Sequence, residues 1–237
     1  MIKGGEDMTY VLSDLHGRYD LYMAMLKKIN FGDGDTLYIL GDCVDRGDEG
    51  LKIVLDIAQR DNVICLMGNH DFVASSILPN LERGFPPGRL ADMRGLLDAW
   101  ICDGGTATYQ EYKKLSPTDR QLALMTIDSF RNFAEVKVGD REFVLCHGGI
   151  KNYDPNKPLS DYSVKDFTFY REDYSKPKFA KKGKYLITGH TPTAMIDGAK
   201  DGKIYKKFDH IAIDCGAVFE YGLGCIRLDD MKEFYVR

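Results

Sequence analysis

The sequence predicts an α/β fold with a largely parallel sheet at its N-terminal end. Up to about residue 71, short apolar runs typical of buried strands alternate with stretches of helical periodicity. The links between them are short, so this strand–helix–strand pattern favours parallel pairing through right-handed crossovers. Strand-like runs then stop, residues 72–130 show helical patterns, and strands resume near residue 133. We therefore expect a single domain over residues 1–237 with a helical insertion at about 72–130.

Local patterns place the individual elements. Apolar residues at helical spacing predict an amphipathic helix over Tyr19–Ile29. Ser116 followed by a proline and then an acid predicts a helix N-terminus. Gly139-Asp140 between two strand-like runs predicts a hairpin, and residues 151–183 predict a polar surface loop with a short helix near 164–173. The predicted strands cover 9–12, 36–40, 62–67, 133–138, 141–146, 184–187, 210–214, 224–228 and 233–236.

Composition narrows the class of protein. The net charge of −4 implies no broad basic surface, so nucleic acid is not an expected partner. No apolar run approaches the roughly 20 residues that span a bilayer, so no membrane association is expected. The polar N-terminus lacks the apolar core of a signal peptide, which favours a cytoplasmic location. None of these features indicates an oligomeric state.

The six cysteines do not indicate a metal site. None belongs to a C-x-x-C pair, so a thiolate zinc site is not expected. Cys43 lies between Asp42 and Asp45, whose negative charges would raise the pKa of its thiol. A nucleophilic role for Cys43 is therefore not expected.

Polar side chains follow five of the predicted strands. In sheets with parallel strands, ligands bind beyond the carboxyl ends of the strands, so these residues should converge. Four of the five histidines of the chain lie there; one would ordinarily be structural, but four beside acids are hard to explain that way. His210 lies outside these ends, and a structural or surface role is expected for it. The residues at the strand ends are Asp14, His16, Asp42, Asn69, His70, His147 and His190.

This set of side chains predicts a pair of metal ions. Imidazole, carboxylate and amide groups without thiolate suit Mn, Fe, Zn or Co rather than a structural zinc. Seven such groups are too many for one tetrahedral ion, whereas two ions that share a carboxylate would use them. Two ions about 3.5–4 Å apart can generate a hydroxide and clamp both oxygens of an in-line displacement. Arg46 beside them would neutralise a phosphate, so hydrolysis of a phosphate ester is predicted. Taken alone, Gly41–Gly47 also fits a solvated turn.

Five segments resemble the motif series of the calcineurin-like metallophosphoesterases. The D-x-V-D-R-G form is that of the phosphoprotein phosphatase branch, and Trp100-Ile-Cys-Asp-Gly-Gly105 resembles a stretch of bacterial and phage-type serine/threonine protein phosphatases. The resemblance implies a central β-sandwich flanked by helices. The five segments are Asp14-Leu-His16-Gly, Gly41-Asp-Cys-Val-Asp-Arg-Gly47, Gly68-Asn-His70, His147-Gly-Gly and Gly189-His190.

The resemblance also implies two divalent ions, with manganese expected and iron or zinc as alternatives. Asp14, His16 and Asp42 would hold the first ion. Asp42 would bridge to the second ion. The remaining ligands of the second ion would be Asn69, His147 and His190.

The same resemblance implies roles in catalysis and phosphate binding. His70 would act as general acid, with Asp45 orienting its imidazole. Arg46, Asn69 and a second arginine would bind phosphate oxygens. Arg171 is the chosen candidate for that arginine, although a solvated charge in a lysine-rich loop is its alternative interpretation.

Three functions remain open at this stage. The first is a serine/threonine phosphoprotein phosphatase, with a phosphoprotein or small phosphoester as substrate. The alternative is a bis(5'-nucleosyl)-tetraphosphatase, which Asp71 fits equally well and which needs an aromatic or arginine platform for the base. Tyr153, Tyr170 and Tyr174 are candidates for that platform. A catalytically silent metal-binding scaffold is disfavoured, because His70 and Asp45 accompany every expected ligand.

Overall fold

Two five-stranded sheets form the centre of the fold. The structure is a computed structural model that describes residues 7–84, 90–179 and 181–237, so positions 85–89 of the predicted insertion lie outside the described residues. The strands are β1 (Thr9–Leu12), β2 (Thr36–Ile39), β3 (Val63–Cys65), β4 (Phe133–Val138), β5 (Arg141–Cys146), β6 (Lys184–Thr188), β7 (Tyr205–Lys207), β8 (His210–Ala212), β9 (Leu223–Arg227) and β10 (Glu233–Val236). The helices are α1 (Tyr19–Ile29), α2 (Gly50–Ile57), α3 (Asn69–Arg83), α4 (Leu90–Trp100), α5 (Thr106–Lys114), α6 (Pro117–Asp128) and α7 (Val164–Thr168).

The pairing of the strands confirms the predicted parallel core. The first sheet has the order β10-β9-β1-β2-β3, with β1, β2 and β3 parallel. The second has the order β4-β5-β6-β8-β7, in which β5, β6 and β8 are parallel and β4–β5 is the predicted antiparallel hairpin. Strand β7 was not predicted, because its three residues are polar or half-exposed and make no apolar run.

Alternating side chains of the first sheet reveal the layers. Tyr10 and Leu12 belong to the cluster that packs against α1, α2 and α3, whereas Val11 packs against strands of the second sheet. This is the period of two expected of a strand that is buried on both faces. The outer face of the second sheet is covered by Ile150, Tyr162 and Phe167 from the segment that contains α7. The predicted β-sandwich flanked by helices is confirmed.

The described residues between β3 and β4 form helices. Ser116 caps α6 as predicted, accepting a hydrogen bond of 3.1 Å from the backbone N–H of Asp119. The two glycines of Asp103-Gly-Gly105 do not separate two helices, because α4 continues through a kinked turn over Ile101–Gly105 directly into α5. The kink carries non-helical backbone at Asp103 and Gly104, and this turn bears on the functional site described below.

The helix expected near 164–173 is shorter than predicted, because α7 ends at Thr168. None of the helices in the described part of the chain is both long and apolar enough to cross a lipid bilayer.

Candidate metal centre and active site

Backbone hydrogen bonds hold the ends of the parallel strands side by side. The N–H of Asp14, after β1, donates to the carbonyl of Gly41, after β2, at 3.1 Å, and His16 N–H donates to Asp42 at 2.8 Å. The second sheet joins the same edge, because Nδ1 of His147, after β5, lies 2.7 Å from the carbonyl oxygen of Leu40. The predicted convergence of the strand ends is confirmed for both sheets.

Several residues at this edge adopt a backbone conformation that is rare outside glycine. Six of them have φ between +42° and +70°. Such conformations cost roughly 1–3 kcal/mol each and persist only where the surroundings enforce them, which is typical of functional sites. The six residues are Asp14, His16, Asp42, Asp45, Arg46 and His190.

Asp42 is shared by two groups of side chains that could each hold a metal ion. Ligand-type atoms lie within 4.8 Å of one another in the group His16, Asp42 and His70, and likewise in the group Asp42, His147 and His190. Asp42 Oδ2 lies 3.6 Å from His16 Nε2 and 3.4 Å from His147 Nε2. The buried nitrogen and carboxylate ligands, with one carboxylate between the groups, fit two divalent ions.

The hydrogen bonds of the histidines leave a nitrogen facing the centre. His16 Nδ1 lies 3.1 Å from the carbonyl oxygen of Val44, as His147 Nδ1 does from Leu40 at 2.7 Å. A carbonyl oxygen can only accept, so Nδ1 of each ring carries the proton. In the neutral imidazole Nε2 is then the unprotonated nitrogen that can ligate a metal ion, and this kind of support is usual for metal-binding histidines.

Asp14 and Asn69 lie at the same centre, but their contacts differ from those of the histidines. Asn69 Oδ1 is 2.9 Å from His147 Nε2. The carboxylate of Asp14 accepts from the hydroxyl of Ser13 and, at 3.0 Å, from the N–H of His190. The group of three around His16 contains His70 rather than Asp14, so the assignment of Asp14 as ligand and His70 as acid stays a prediction.

Burial and mutual charge displace the pKa values of these side chains. Burial lowers the pKa of His16 to about 3, and burial with the neighbouring His147 lowers that of His190 to about 3. Against the effect of its own burial, the Asp42 carboxylate raises the pKa of His147 to about 9. A cation bound between them would displace that proton, because metal ligands must be deprotonated.

Asp45 is a buried carboxylate whose oxygens are all engaged. Its Oδ2 accepts from His70 Nδ1 and from Trp100 Nε1, both at 2.8 Å, and its Oδ1 accepts from the Thr108 hydroxyl at 2.6 Å. The residue is 0% exposed. Although burial opposes it, Asp42 and Asp45 raise the pKa of His70, so its imidazole retains a proton more readily than a free histidine. The pair is arranged for a proton donor held in one orientation.

Arg46 contacts the Nε2 atoms of two histidines. Its Nη1 is 2.9 Å from His16 Nε2 and its Nη2 is 3.0 Å from His70 Nε2. Nη2 also donates to Asp103 at 3.0 Å. The kinked turn allows this contact, because at Gly104, where φ is +102°, a Cβ would lie 2.7 Å from the arginine side chain. A guanidinium in this position can meet a phosphate beside both metal groups.

Arg171 lies at the edge of the centre rather than inside it. Its Nη1 donates to the carbonyl of His190 at 2.8 Å and to the Thr191 hydroxyl at 3.2 Å. The side chain is exposed, so its guanidinium is anchored on one side and faces solvent on the other. The choice of Arg171 as second phosphate-binding arginine stays a prediction. Its position beside His190 is compatible with that role.

Sequence reasoning assigned no role in the centre to two acids that lie there. Asp71 accepts from the N–H groups of Asp42 at 2.7 Å and Cys43 at 3.0 Å, and burial raises its pKa to about 7. Asp214 follows β8 and is buried, and its burial together with the charge of Asp14 raises its pKa. The rule that polar residues at strand ends converge would have found Asp214, and the capping contacts of Asp71 require the structure.

Three other residues of the centre had no role assigned from sequence. Trp100 and Thr108 bond to Asp45, and Asp103 bonds to Arg46, although all three are more than fifty positions along the chain. Such contacts leave no periodic signal in the sequence. His210 is buried and its Nε2 lies 2.9 Å from the Lys176 carbonyl, which fits the structural role expected of it.

Comparison with known proteins identifies the class that this fold and centre represent. Residues 9–219 match the family model described as calcineurin-like phosphoesterase. The chain therefore belongs to the calcineurin-like phosphoesterase family. Members of this family characteristically use two divalent ions, which agrees with the two groups around Asp42.

Particular relatives are similar over most of their length. A protein of Shigella dysenteriae serotype 1 (strain Sd197) named symmetrical bis(5'-nucleosyl)-tetraphosphatase is 28% identical, with 97% of this chain and 94% of the relative covered. A solved structure described as a putative diadenosine tetraphosphatase has a TM-score of 0.64 at 14% identity and covers 98% of this chain and 93% of its own. The structure of a protein serine/threonine phosphatase from Saccharomyces cerevisiae has a TM-score of 0.59 at 14% identity. The match covers 94% of this chain and 73% of the yeast chain. At such identities the two structures show the fold alone.

Proposed function

We propose that this protein is a dinuclear-metal-dependent hydrolase of dinucleoside polyphosphates, of the bis(5'-nucleosyl)-tetraphosphatase type. The similarity along the full length of the Shigella relative carries the proposal, and it favours this alternative over the protein phosphatase that the motifs had put first. The buried centre around Asp42 supports the hydrolytic chemistry. The substrate would be a tetraphosphate chain between two nucleosides.

The residues of the centre divide between binding ions and binding phosphate. His16, Asp42, His147 and His190 would hold two divalent ions, together with Asp14 and Asn69. When bound, such ions activate a water molecule and neutralise charge on the phosphoryl group. Arg46 would bind the phosphoryl oxygens, since a guanidinium matches their geometry with paired hydrogen bonds.

His70 would act as the general acid that protonates the leaving oxygen. Its Nδ1 donates to Asp45, so Nε2 is the atom that faces the centre. Nε2 accepts from Nη2 of Arg46 at 3.0 Å, and it would carry the proton once that guanidinium turns to a phosphate. Although burial opposes it, the charges of Asp42 and Asp45 raise the pKa of His70 and so favour its protonated form relative to a free histidine. A positioned acid contributes about 10²–10⁴-fold to a rate, and its contribution grows as the leaving group becomes more basic.

The substrate class can be tested with two compounds and one preparation. Manganese-loaded protein would be given diadenosine tetraphosphate and, separately, a phosphoserine peptide, with products separated by chromatography. We expect two ADP molecules from each tetraphosphate and a kcat/KM at least tenfold above that for the peptide. Turnover of the peptide alone would refute the proposal.

A serine/threonine protein phosphatase is the second candidate. The observation in its favour is the bond from Trp100 Nε1 to Asp45, which comes from the stretch that resembles bacterial and phage-type members of that class. The same peptide assay decides between the two. A silent scaffold would leave para-nitrophenyl phosphate untouched in the presence of manganese.

A further inference from the structure

An apolar cavity lies beside the metal centre and has no part in the chemistry described so far. Its volume is about 520 Å³, within the range of roughly 300–1,000 Å³ that is usual for small-molecule sites. We call it the side cavity. Its walls include Phe72, Leu96, Lys151, Lys165, Phe169 and Tyr170.

Three chain segments join the side cavity to the metal centre. Phe72 lies one turn of α3 beyond Asn69, and Phe169 and Tyr170 directly precede Arg171. The carbonyl of Tyr170 also packs closely against Gly148, next to His147. A ligand held by its phosphates at the centre therefore has the side cavity as its neighbour.

The walls of the side cavity suit a flat aromatic ligand. Phe72 and Phe169 meet edge to face, with ring centroids 5.9 Å apart and an interplanar angle of 89°. Phe169 is 44% exposed although it is a large apolar side chain, so much of its surface is accessible to a ligand. Nucleic acid bases stack on such rings without regard to sequence.

The charges at the side cavity favour an anion. Lys151 and Lys165 are exposed cations, and Lys165 Nζ lies 5.9 Å from the centroid of the Phe72 ring. Asp166, the acid among the described residues of the wall, is engaged at the start of α7, where its Oδ2 accepts from the N–H and the hydroxyl of Ser163. Its charge is thus partly satisfied by that cap, whereas the two lysines remain directed to solvent or to a ligand.

We propose that the side cavity binds one nucleoside of the substrate, with its base against Phe169 and Tyr170 and its phosphates between the two lysines and the metal centre. This inference rests on the proposed function and makes it more specific. Of the three tyrosines considered from sequence as a base platform, Tyr170 lines the side cavity. Tyr174, in contrast, is buried with its hydroxyl 2.8 Å from that of Thr188.

Two non-hydrolysable probes isolate the contribution of the nucleoside. The first is α,β-methylene-ADP, and the second is methylenediphosphonate, which has the same phosphonate groups without the nucleoside. Their Kd values would be measured by calorimetry on the manganese-loaded full chain. We expect the nucleotide to bind about 5- to 150-fold more tightly, as stacking of one base implies.

Variants of Phe169 then test whether its ring causes the tighter binding of α,β-methylene-ADP. Phe169→Ala should remove most of it and leave the Kd of methylenediphosphonate unchanged, and Phe169→Tyr should restore it. Phe208→Ala is the matched control, because Phe208 is 58% exposed and outside the side cavity. Equal binding of both probes to the wild type, an advantage insensitive to Phe169→Ala, or equal weakening of both probes would each overturn the proposal.

Failure of the subsite and failure of the proposed function give different results. If diadenosine tetraphosphate is not hydrolysed but the Phe169-dependent nucleotide advantage is present, the function is wrong and the subsite stands. If the tetraphosphate is hydrolysed and the advantage is absent, the subsite is wrong alone. A Phe169-dependent advantage for a phosphoserine peptide, without one for the nucleotide, would overturn the subsite in favour of a protein segment.

Discussion

Two walls of the metal centre differ in how firmly they are built. The acid wall consists of Asp45, His70, Trp100 and Thr108, and both oxygens of its 0%-exposed carboxylate are hydrogen-bonded. The substrate wall consists of Phe169, Tyr170 and Arg171, in which the first and last side chains are exposed. The acid wall is therefore held by buried hydrogen bonds, whereas Arg171 of the substrate wall is hydrogen-bonded on one side and exposed to solvent on the other.

This difference suits proton donation by the acid wall and recognition of the substrate by the substrate wall. A proton donor must be aligned whichever substrate is bound, so it gains from a buried, fully bonded neighbour. Side chains that recognise the rest of a substrate must remain accessible to it. Changes in the acid wall should therefore lower kcat for every substrate with a basic leaving group, and changes in the substrate wall should act on KM for particular substrates.

Removal of the acid should have the largest effect. We expect His70→Asn to lower kcat by about 10²–10⁴-fold on an alkyl phosphate, and by less on para-nitrophenyl phosphate, whose leaving group needs little protonation. Metal content, measured by atomic emission on the dialysed protein, should be unchanged. Loss of metal would instead make His70 a ligand, as its place in the group with His16 and Asp42 allows.

Neutralising the partner of His70 should have a smaller effect, with a characteristic pH dependence. Asp42 and Asp45 raise the pKa of His70 against the effect of burial, so Asp45→Asn should lower that pKa. Since the protonated form is the active one, the alkaline limb of the pH–rate profile should move to lower pH. We expect kcat to fall about 10- to 100-fold near neutral pH, as for other residues that orient a catalytic group.

An unchanged alkaline limb in Asp45→Asn would show that His70 does not supply the proton. Asp103→Asn is the control for this experiment, because that carboxylate lies 3.6 Å from His70 Nε2 but its side chain is 60% exposed and has no place in the acid wall. Because solvent screens this exposed charge, the alkaline limb of Asp103→Asn should move much less than that of Asp45→Asn.

Loss of one hydrogen bond in the acid wall should have a moderate effect. Trp100→Phe keeps an aromatic ring but removes the Nε1–H that donates to Asp45 at 2.8 Å. A hydrogen bond to a charged group contributes roughly 1.5–3 kcal/mol, so we expect kcat to fall about tenfold with KM nearly unchanged. Steady-state kinetics on para-nitrophenyl phosphate and an alkyl phosphate would measure it, and a change in KM alone would contradict the assignment of Trp100 to the acid wall.

The substrate wall should respond in the opposite way. Arg171→Lys keeps the positive charge but removes the planar guanidinium. The guanidinium can donate to the carbonyl of His190 and to a phosphate at the same time, which an ammonium group does less well. We expect KM to rise about five- to tenfold, with kcat within about twofold of the wild type. Arg131→Lys is the matched control, because the side chain of Arg131 is exposed and belongs to neither metal-binding group. Equal kinetics in the two variants would return Arg171 to the class of solvated surface charges.

The same two walls show what the sequence could and could not predict. Strand ends carrying Asp14, Asp42 and His147 could be predicted, because apolar runs that end in polar residues define both the sheet and its edge. The bonds from Trp100 and Thr108 to Asp45 could not, since they depend on a kinked turn that appears in the sequence only as a pair of glycines.

Substrate preference was the least predictable property. The tyrosines at 153, 170 and 174 are equivalent in the sequence, because all lie in one polar stretch. The structure distinguishes them, because Tyr170 lines the side cavity whereas Tyr174 is buried with its hydroxyl 2.8 Å from that of Thr188. The motifs favoured a protein phosphatase. Similarity along most of the chain to a relative named symmetrical bis(5'-nucleosyl)-tetraphosphatase favours a dinucleoside polyphosphate hydrolase instead.

The most direct test of the central claim is a count of metal ions in the wild type and in Asp42→Asn. Asparagine keeps the Oδ1 that accepts from the His70 N–H at 3.0 Å and removes the charge shared by the two groups. Native mass spectrometry of manganese-loaded protein should show two ions per chain in the wild type and in Asp103→Asn, and at most one in Asp42→Asn. A single ion in the wild type, or two ions retained by Asp42→Asn, would contradict a two-metal centre bridged by Asp42.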